Sequence, residues 1–156
     1  MPNTPKWIVI HTAAHGTQSK NYDTTAAQID MWHRERGFKM IGYHYVVRLG
    51  GKIEKGRNET DTGAHTLGLN AVSIGICFSG NGNFHTWTAD QSVNGLNLIR
   101  MLMQKYGIRP DHVIGHREVN RLVEEGILQA RYRTPKTCPG KMIDMNKVRG
   151  QLGGTQ

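Results

Sequence analysis

Residues 7–12 read Trp7-Ile8-Val9-Ile10-His11-Thr12, a β-branched and aromatic run bounded by Pro5 and Gly16. Such a run reads as a buried strand, here one that ends on His11. Val72 to Ser79 (VSIGICFS) has the same character and reads as a central strand, with Gly75 marking the close approach of another backbone. Between the two, Thr25-Ala26-Ala27-Gln28 has the form of a capping box, after which Ile29, Trp32 and the stem of Arg36 share a helical face up to a stop at Gly37. Tyr43–Leu49 and Lys52–Lys55 flank Gly50-Gly51, the pattern of an antiparallel hairpin whose turn needs positive φ. Residues 56–71, rich in Gly, Thr, Asn and Asp, read as a long surface loop that carries His65. A second capping box, Thr88-Ala89-Asp90-Gln91, opens the longest helix, with Leu96, Ile99, Leu102 or Met103, and Tyr106 at helical spacing up to Gly107. A short strand at Val113-Ile114, a weaker helix over Glu118–Glu125, a loop over Thr134–Gly140 and a last helix from about Lys141 to Leu152 follow, then a frayed Gly-Gly-Thr-Gln end. Strands alternate with helices and one hairpin breaks the pattern. The expected fold is therefore an α/β protein with a single mixed sheet of about five strands flanked by helices.

At 156 residues and 37% hydrophobic composition, the chain reads as one domain able to bury a core. Twenty Lys and Arg against twelve Asp and Glu leave a net charge of +8, which suits a polyanionic partner: nucleic acid, anionic lipid or bacterial wall polymer. The basic residues are spread along the chain with no stripe of interleaved aromatics, which argues only weakly for nucleic acid, and no nucleic-acid partner is expected. Neither Gly80-Asn81-Gly82 nor Gly50-Gly51 is followed by Gly-Lys-Ser/Thr, so neither reads as a phosphate loop. Two cysteines, Cys77 and Cys138, are too few for a disulfide scaffold. The start, Met1-Pro-Asn-Thr-Pro-Lys6, lacks a signal peptide's apolar stretch, and no run approaches the roughly 20 apolar residues of a membrane span. The expectation is a chain made in the cytoplasm, with no stable membrane insertion.

Eight histidines call for an explanation. His11 ends the first strand, His116 ends the short strand, and Cys138 lies in a Pro-flanked loop; reactive groups of open α/β sheets collect at strand ends. Two imidazoles and one thiolate suit zinc, leaving a fourth position for water as catalytic sites do. A nucleophilic pair of Cys138 with His116 is the rival, since Lys136 lies two residues from the thiol and could stabilise a thiolate. His15, His33, His85 and His112 read as packing or solvated residues, and Cys77 as a buried thiol.

Seven stretches carry a resemblance that covers nearly the whole chain: residues 8–13 (IVIHTA), 32–33 (WH), 42–47 (GYHYVV), 63–70 (GAHTLGLN), 73–81 (SIGICFSGN), 115–119 (GHREV) and 135–140 (PKTCPG). In this order they resemble the zinc N-acetylmuramoyl-L-alanine amidases of the amidase-2 group, namely phage endolysins of the T-odd lysozyme type and the related peptidoglycan recognition proteins. The resemblance implies one Zn²⁺ per chain on His11, His116 and Cys138, with Tyr43 and Lys136 catalytic. It places His65 on the substrate groove, with Arg57 near a peptide carboxylate. It further implies a single catalytic domain over 1–156 without a separate wall-binding domain, acting as a monomer on peptidoglycan after release to the wall. On this reading the positive charge serves approach to an anionic envelope. A recognition domain that binds peptidoglycan without cutting it is the alternative, but such proteins typically lack the cysteine ligand, which this chain has. Asn120–Arg133 is longer than in the shortest phage relatives and is expected to fold over one rim of the groove.

Overall fold

The computed structural model of the chain describes residues 2–153. Five strands form one sheet: β1 (Trp7–Thr12), β2 (Tyr45–Val47), β3 (Ile53–Lys55), β4 (Ser73–Phe78) and β5 (Val113–Gly115), in the order β3-β2-β4-β1-β5. β1 runs parallel to both β4 and β5, β2 runs parallel to β4, and β3 pairs antiparallel with β2, so the sheet is mixed as expected. Four α-helices cover it: α1 (Ala26–Glu35), α2 (Ala89–Tyr106), α3 (Val119–Glu124) and α4 (Met145–Gly153).

Alternation along the strands sorts the core into two sides. Ile8, Ile10, Ile74, Ile76 and Phe78 pack with Leu96, Ile99 and Leu102 of α2 and with Val148 and Leu152 of α4. On the other side Trp7, Val9 and Ile114 meet Val119 and Leu122 of α3, while Val46 and Cys77 meet Ile29 of α1. Each such aliphatic side chain contributes about 1.5–3 kcal/mol when fully buried. The helix starts follow their local chemistry. Thr25 and Thr88 each accept a hydrogen bond from the backbone N–H of Gln28 and Gln91, whose side chains return the contact to the threonine N–H. A cap of this kind is worth about 1 kcal/mol.

Several expected boundaries move, each for a local reason. β2 begins at Tyr45, which leaves Tyr43 in the stretch entering the strand. In the hairpin turn only Gly51 takes positive φ, at 89°. α4 begins at Met145 and not near Lys141, because Asp144 Oδ1 accepts from the Asn146 and Lys147 N–H groups and starts the helix there. On α1 the buried residues are Ile29 and His33, while Trp32 is half-buried and Arg36 is exposed. At Gly75 the His44 backbone N–H donates to the carbonyl at 2.9 Å, and the space a Cβ would take is filled by the His65 ring, 2.6 Å away. Of the expected frayed end, Gly153 closes α4 and residues 154–156 lie outside the described residues.

The register fixes what the sheet presents at its carboxyl ends. His11 stands opposite Cys77, and the β1–β5 pairing that sets Val9 against Ile114 carries forward to His11 and His116. Both histidines therefore emerge on the α1/α3 side, at adjacent parallel strand ends, where open α/β sheets place their ligands.

Candidate metal centre and cleft

His11 and His116 approach with ring centroids 4.9 Å apart, and Cys138 enters from the loop before α4. One ligand atom from each of the three lies within 4.8 Å of the others, with the Cys138 Sγ 3.7 Å from His11 Nδ1. Bonds of about 2.0–2.3 Å to a tetrahedral zinc ion would set such atoms roughly 3.3–3.6 Å apart. The sulfur and Nδ1 already stand close to that spacing, and two imidazole nitrogens with a thiolate are a donor set suited to it. The three residues form a group able to hold a metal ion.

Arg117, next to His116, places the cysteine. Its N–H donates to the Cys138 carbonyl at 2.8 Å, and its guanidinium donates to the carbonyls of Gly140 and Ile143 at 2.7 and 2.6 Å. The backbone N–H of Thr12, which follows His11, donates to the Cys138 sulfur at 3.2 Å. Glu118 supports the other strand end, accepting from the Gly115 N–H and, through both carboxylate oxygens, from Arg149 of α4 at 2.7 and 2.8 Å.

Protonation is shaped mainly by burial. Burial, with Lys136 adding a smaller effect, pushes His116 down to about 4, and burial together with the neighbouring His65 and His116 lowers His11 well below its ordinary range. Both imidazoles are neutral at pH 7, as metal ligands must be. Burial pushes the Cys138 thiol up to about 11 against the opposing pull of the Thr12 N–H, Lys136 and Arg117. Thiol up and imidazole down is the reverse of what a thiolate–imidazolium nucleophile requires, which counts against the Cys138–His116 pair.

Two adjoining cavities open over this group. One, of about 450 Å³, is lined by His11, His116, Cys138, Tyr43, His65 and Lys136; the other, of about 420 Å³, shares Tyr43, His65, His116 and Lys136 and extends between Phe38 and Tyr132. Cationic side chains of Arg36, Arg131, Arg133 and Lys136 rim the second. The Tyr43 ring stands 4.9 Å from that of His11, and burial raises its hydroxyl well above the usual phenol range, so it stays protonated. Lys136 is exposed at the mouth of both cavities.

The structure thus brings six of the seven expected site residues together: His11, His116, Cys138, Tyr43, Lys136 and His65. Arg57 is the correction. It lines neither cavity; its side chain is buried, with Nε donating to the Ile41 carbonyl and Nη1 to that of Thr62, both at 2.9 Å. Its guanidinium ties the Ile41 carbonyl to that of Thr62 in the 56–71 loop, away from both cavities. Arg36, expected to pack its stem on the α1 face, lines both cavities instead, because α1 ends beside the cleft. The Asn120–Arg133 segment does form a rim, through Arg131, Tyr132 and Arg133 at and after a 3₁₀ turn (Ala130–Tyr132), while α3 packs against the sheet. His33, which the sequence reads as a packing or solvated residue, accepts the Gly42 N–H at its Nδ1 at 2.8 Å and so sets the backbone next to Tyr43. No sequence signal separates that use of a helical histidine from simple packing.

Residues 1–141 match the model of the Amidase_2 family, described as N-acetylmuramoyl-L-alanine amidase. An endolysin of Enterobacteria phage K11 is 32% identical over 124 residues, covering 76% of this chain and 72% of its own. Human peptidoglycan recognition protein 3 is 30% identical over 135 residues, covering 85% of this chain and 39% of its own. The solved structure of the N-acetylmuramoyl-L-alanine amidase LysC from Clostridium intestinale URNW superposes with a TM-score of 0.79 at 30% identity, over 96% of this chain and 86% of that one. With its mixed five-stranded sheet, and two strand-end histidines joined by a loop cysteine, the chain belongs to the Amidase_2 family of N-acetylmuramoyl-L-alanine amidases.

Proposed function

We propose that this chain is a zinc-dependent amidase of the endolysin type, hydrolysing the amide between the lactyl group of N-acetylmuramic acid and L-alanine in peptidoglycan. The observation that carries the reading is the convergence of His11, His116 and Cys138 on one point of a cleft that Tyr43 and Lys136 also line. Zinc held there supplies Lewis acidity toward the scissile carbonyl and makes a water molecule nucleophilic near neutral pH. The remaining chemistry belongs to side chains. As water adds to the carbonyl carbon, negative charge grows on the former carbonyl oxygen, and the Lys136 ammonium, at the cleft mouth, stabilises it. Tyr43, protonated beside His11, holds the attacking water by hydrogen bonding and relays its proton to the departing alanine nitrogen as the C–N bond breaks. The cations Arg36, Arg131 and Arg133 suit a peptide that carries carboxylates along the adjoining cavity.

Peptidoglycan binding without cleavage is the competing reading, because a recognition protein is among the relatives. Cys138 and Lys136 together favour hydrolysis, since binding alone needs neither a thiol ligand nor an oxyanion partner. Purified sacculi incubated with the protein are expected to release new amino-terminal alanine, and Cys138→Ala is expected to lose both that release and stoichiometric zinc binding. Retention on sacculi with no alanine released by the parent protein would establish the binding reading instead, and lysis by a zinc-free Cys138→Ala variant would overturn the metal assignment.

A further inference from the structure

His65 lies on the cleft wall, but both its ring nitrogens are engaged by protein groups. Nδ1 sits 2.9 Å from His11 Nε2 and 2.9 Å from Thr66 Oγ1, and Nε2 sits 3.3 Å from Ser73 Oγ. The ring is wedged: a Cβ on Gly75 would stand 2.6 Å from Cγ and Cδ2, and one on Gly63 2.6 Å from Cδ2.

Directions along this chain follow from one fixed acceptor. Ser73 Oγ donates its single proton to the Leu69 carbonyl at 2.7 Å, so toward His65 it only accepts. His65 Nε2 must then carry a hydrogen, which leaves a lone pair on Nδ1. Facing that lone pair, His11 Nε2 must carry a hydrogen too, shared with Thr66 Oγ1 at 3.2 Å. A neutral imidazole with Nε2 protonated has its lone pair on Nδ1, and Nδ1 is the nitrogen 3.7 Å from the Cys138 sulfur. One β4 residue, Ser73, and two loop residues, His65 and Thr66, thus aim the His11 lone pair before any metal arrives.

We propose that Ser73, His65 and Thr66 are positioning residues that hold His11 in the Nε2–H tautomer, so that its Nδ1 is preset as a metal ligand. The proposal rests on the reading of His11 as a ligand and assigns His65 a use other than contact with substrate. Outer partners of metal-bound histidines typically change affinity by about 10–100-fold when removed. Asparagine at position 65 places an amide oxygen near the Nδ1 position and keeps an acceptor for His11; leucine fills space without one.

The test has two arms. Long-range ¹H–¹⁵N NMR of the metal-free parent reads the tautomer of His11 directly, and Nε2–H is expected; a hydrogen on Nδ1 would overturn the proposal. Chelator competition then compares zinc affinity: His65→Leu is expected to weaken it by about 10–100-fold, while His65→Asn stays near the parent. Equal affinity for His65→Leu and parent, or equal losses for the leucine and asparagine variants, would equally overturn it. Failure of the parent to bind zinc would remove the metal reading alone, since the tautomer is measured without metal and still decides the relay.

Discussion

Lys136 and Cys138 are two positions apart and live in different surroundings: the cysteine sulfur takes a hydrogen bond from the Thr12 N–H, while the lysine is exposed at the cleft mouth. That separation makes their roles separable. Lys136→Ala is expected to bind zinc as the parent does and to lose turnover by roughly 10²–10³, the usual effect of deleting an oxyanion donor. Unchanged turnover in the zinc-loaded variant, measured as alanine released per minute, would remove Lys136 from the reaction. At this scale the grouping of His11 with His116 was legible because both histidines end β-rich runs, and strand ends are where parallel sheets expose side chains. Arg57 was not. A buried arginine that donates to the Ile41 and Thr62 carbonyls has the same sequence signature as one awaiting an anion, and only the path of the loop distinguishes them. For His65 the sequence marked the residue but not the partner, since Ser73 and His11 reach it from separate strands.

Helices declared themselves through local chemistry. The Thr25 and Thr88 capping boxes lie within four residues of sequence, and both form as read. The 56–71 loop is the opposite case, because what orders it comes from afar. Glu59 accepts hydrogen bonds from the Tyr45 hydroxyl of β2, from the Tyr106 hydroxyl at 2.5 Å and from the Lys105 ammonium at 2.8 Å, both at the end of α2. Within the loop, Asn70 Oδ1 takes the N–H groups of His65 and Thr66, both at 2.8 Å. Burial alone would raise the Glu59 carboxyl, but Lys105, Tyr106 and Tyr45 outweigh it and hold the group at about 2. A carboxyl depressed in the folded state stabilises the fold above its unfolded pKa of about 4.3, and that stability is lost as pH falls toward 2. Glu59→Gln is therefore expected to melt below the parent at pH 7, with the gap between their Tm values shrinking as pH falls from about 4.5 toward 2. A gap constant across that window would show that the charge of Glu59 does not anchor the loop.

Across the whole molecule, eight excess positive charges meet a cleft whose rim is itself cationic through Arg36, Arg131, Arg133 and Lys136. Long-range attraction to an anionic envelope is screened over about 10 Å at 0.1 M salt. Lysis of whole envelopes is expected to slow as ionic strength rises, whereas cleavage of a small soluble muropeptide changes less; equal salt dependence of the two rates would take the net charge out of envelope approach. Among the described residues no helix is long and apolar enough to cross a membrane. The order of strands was legible only as a class, mixed and about five-stranded, since crossovers that set β4 between β2 and β1 leave no local mark. The rim segment between His116 and Cys138 returns on itself: the Asn120 side chain donates to the Thr134 carbonyl and accepts the Thr134 N–H, both at 2.9 Å, across fourteen positions of chain. A single amide thus clasps the segment at its base, like the knot closing a loop of cord. The clasp fixes the backbone on either side of the segment, so a change at its tip, where Arg131 and Tyr132 line the cleft, need not move the strand end at His116 or the loop that carries Cys138.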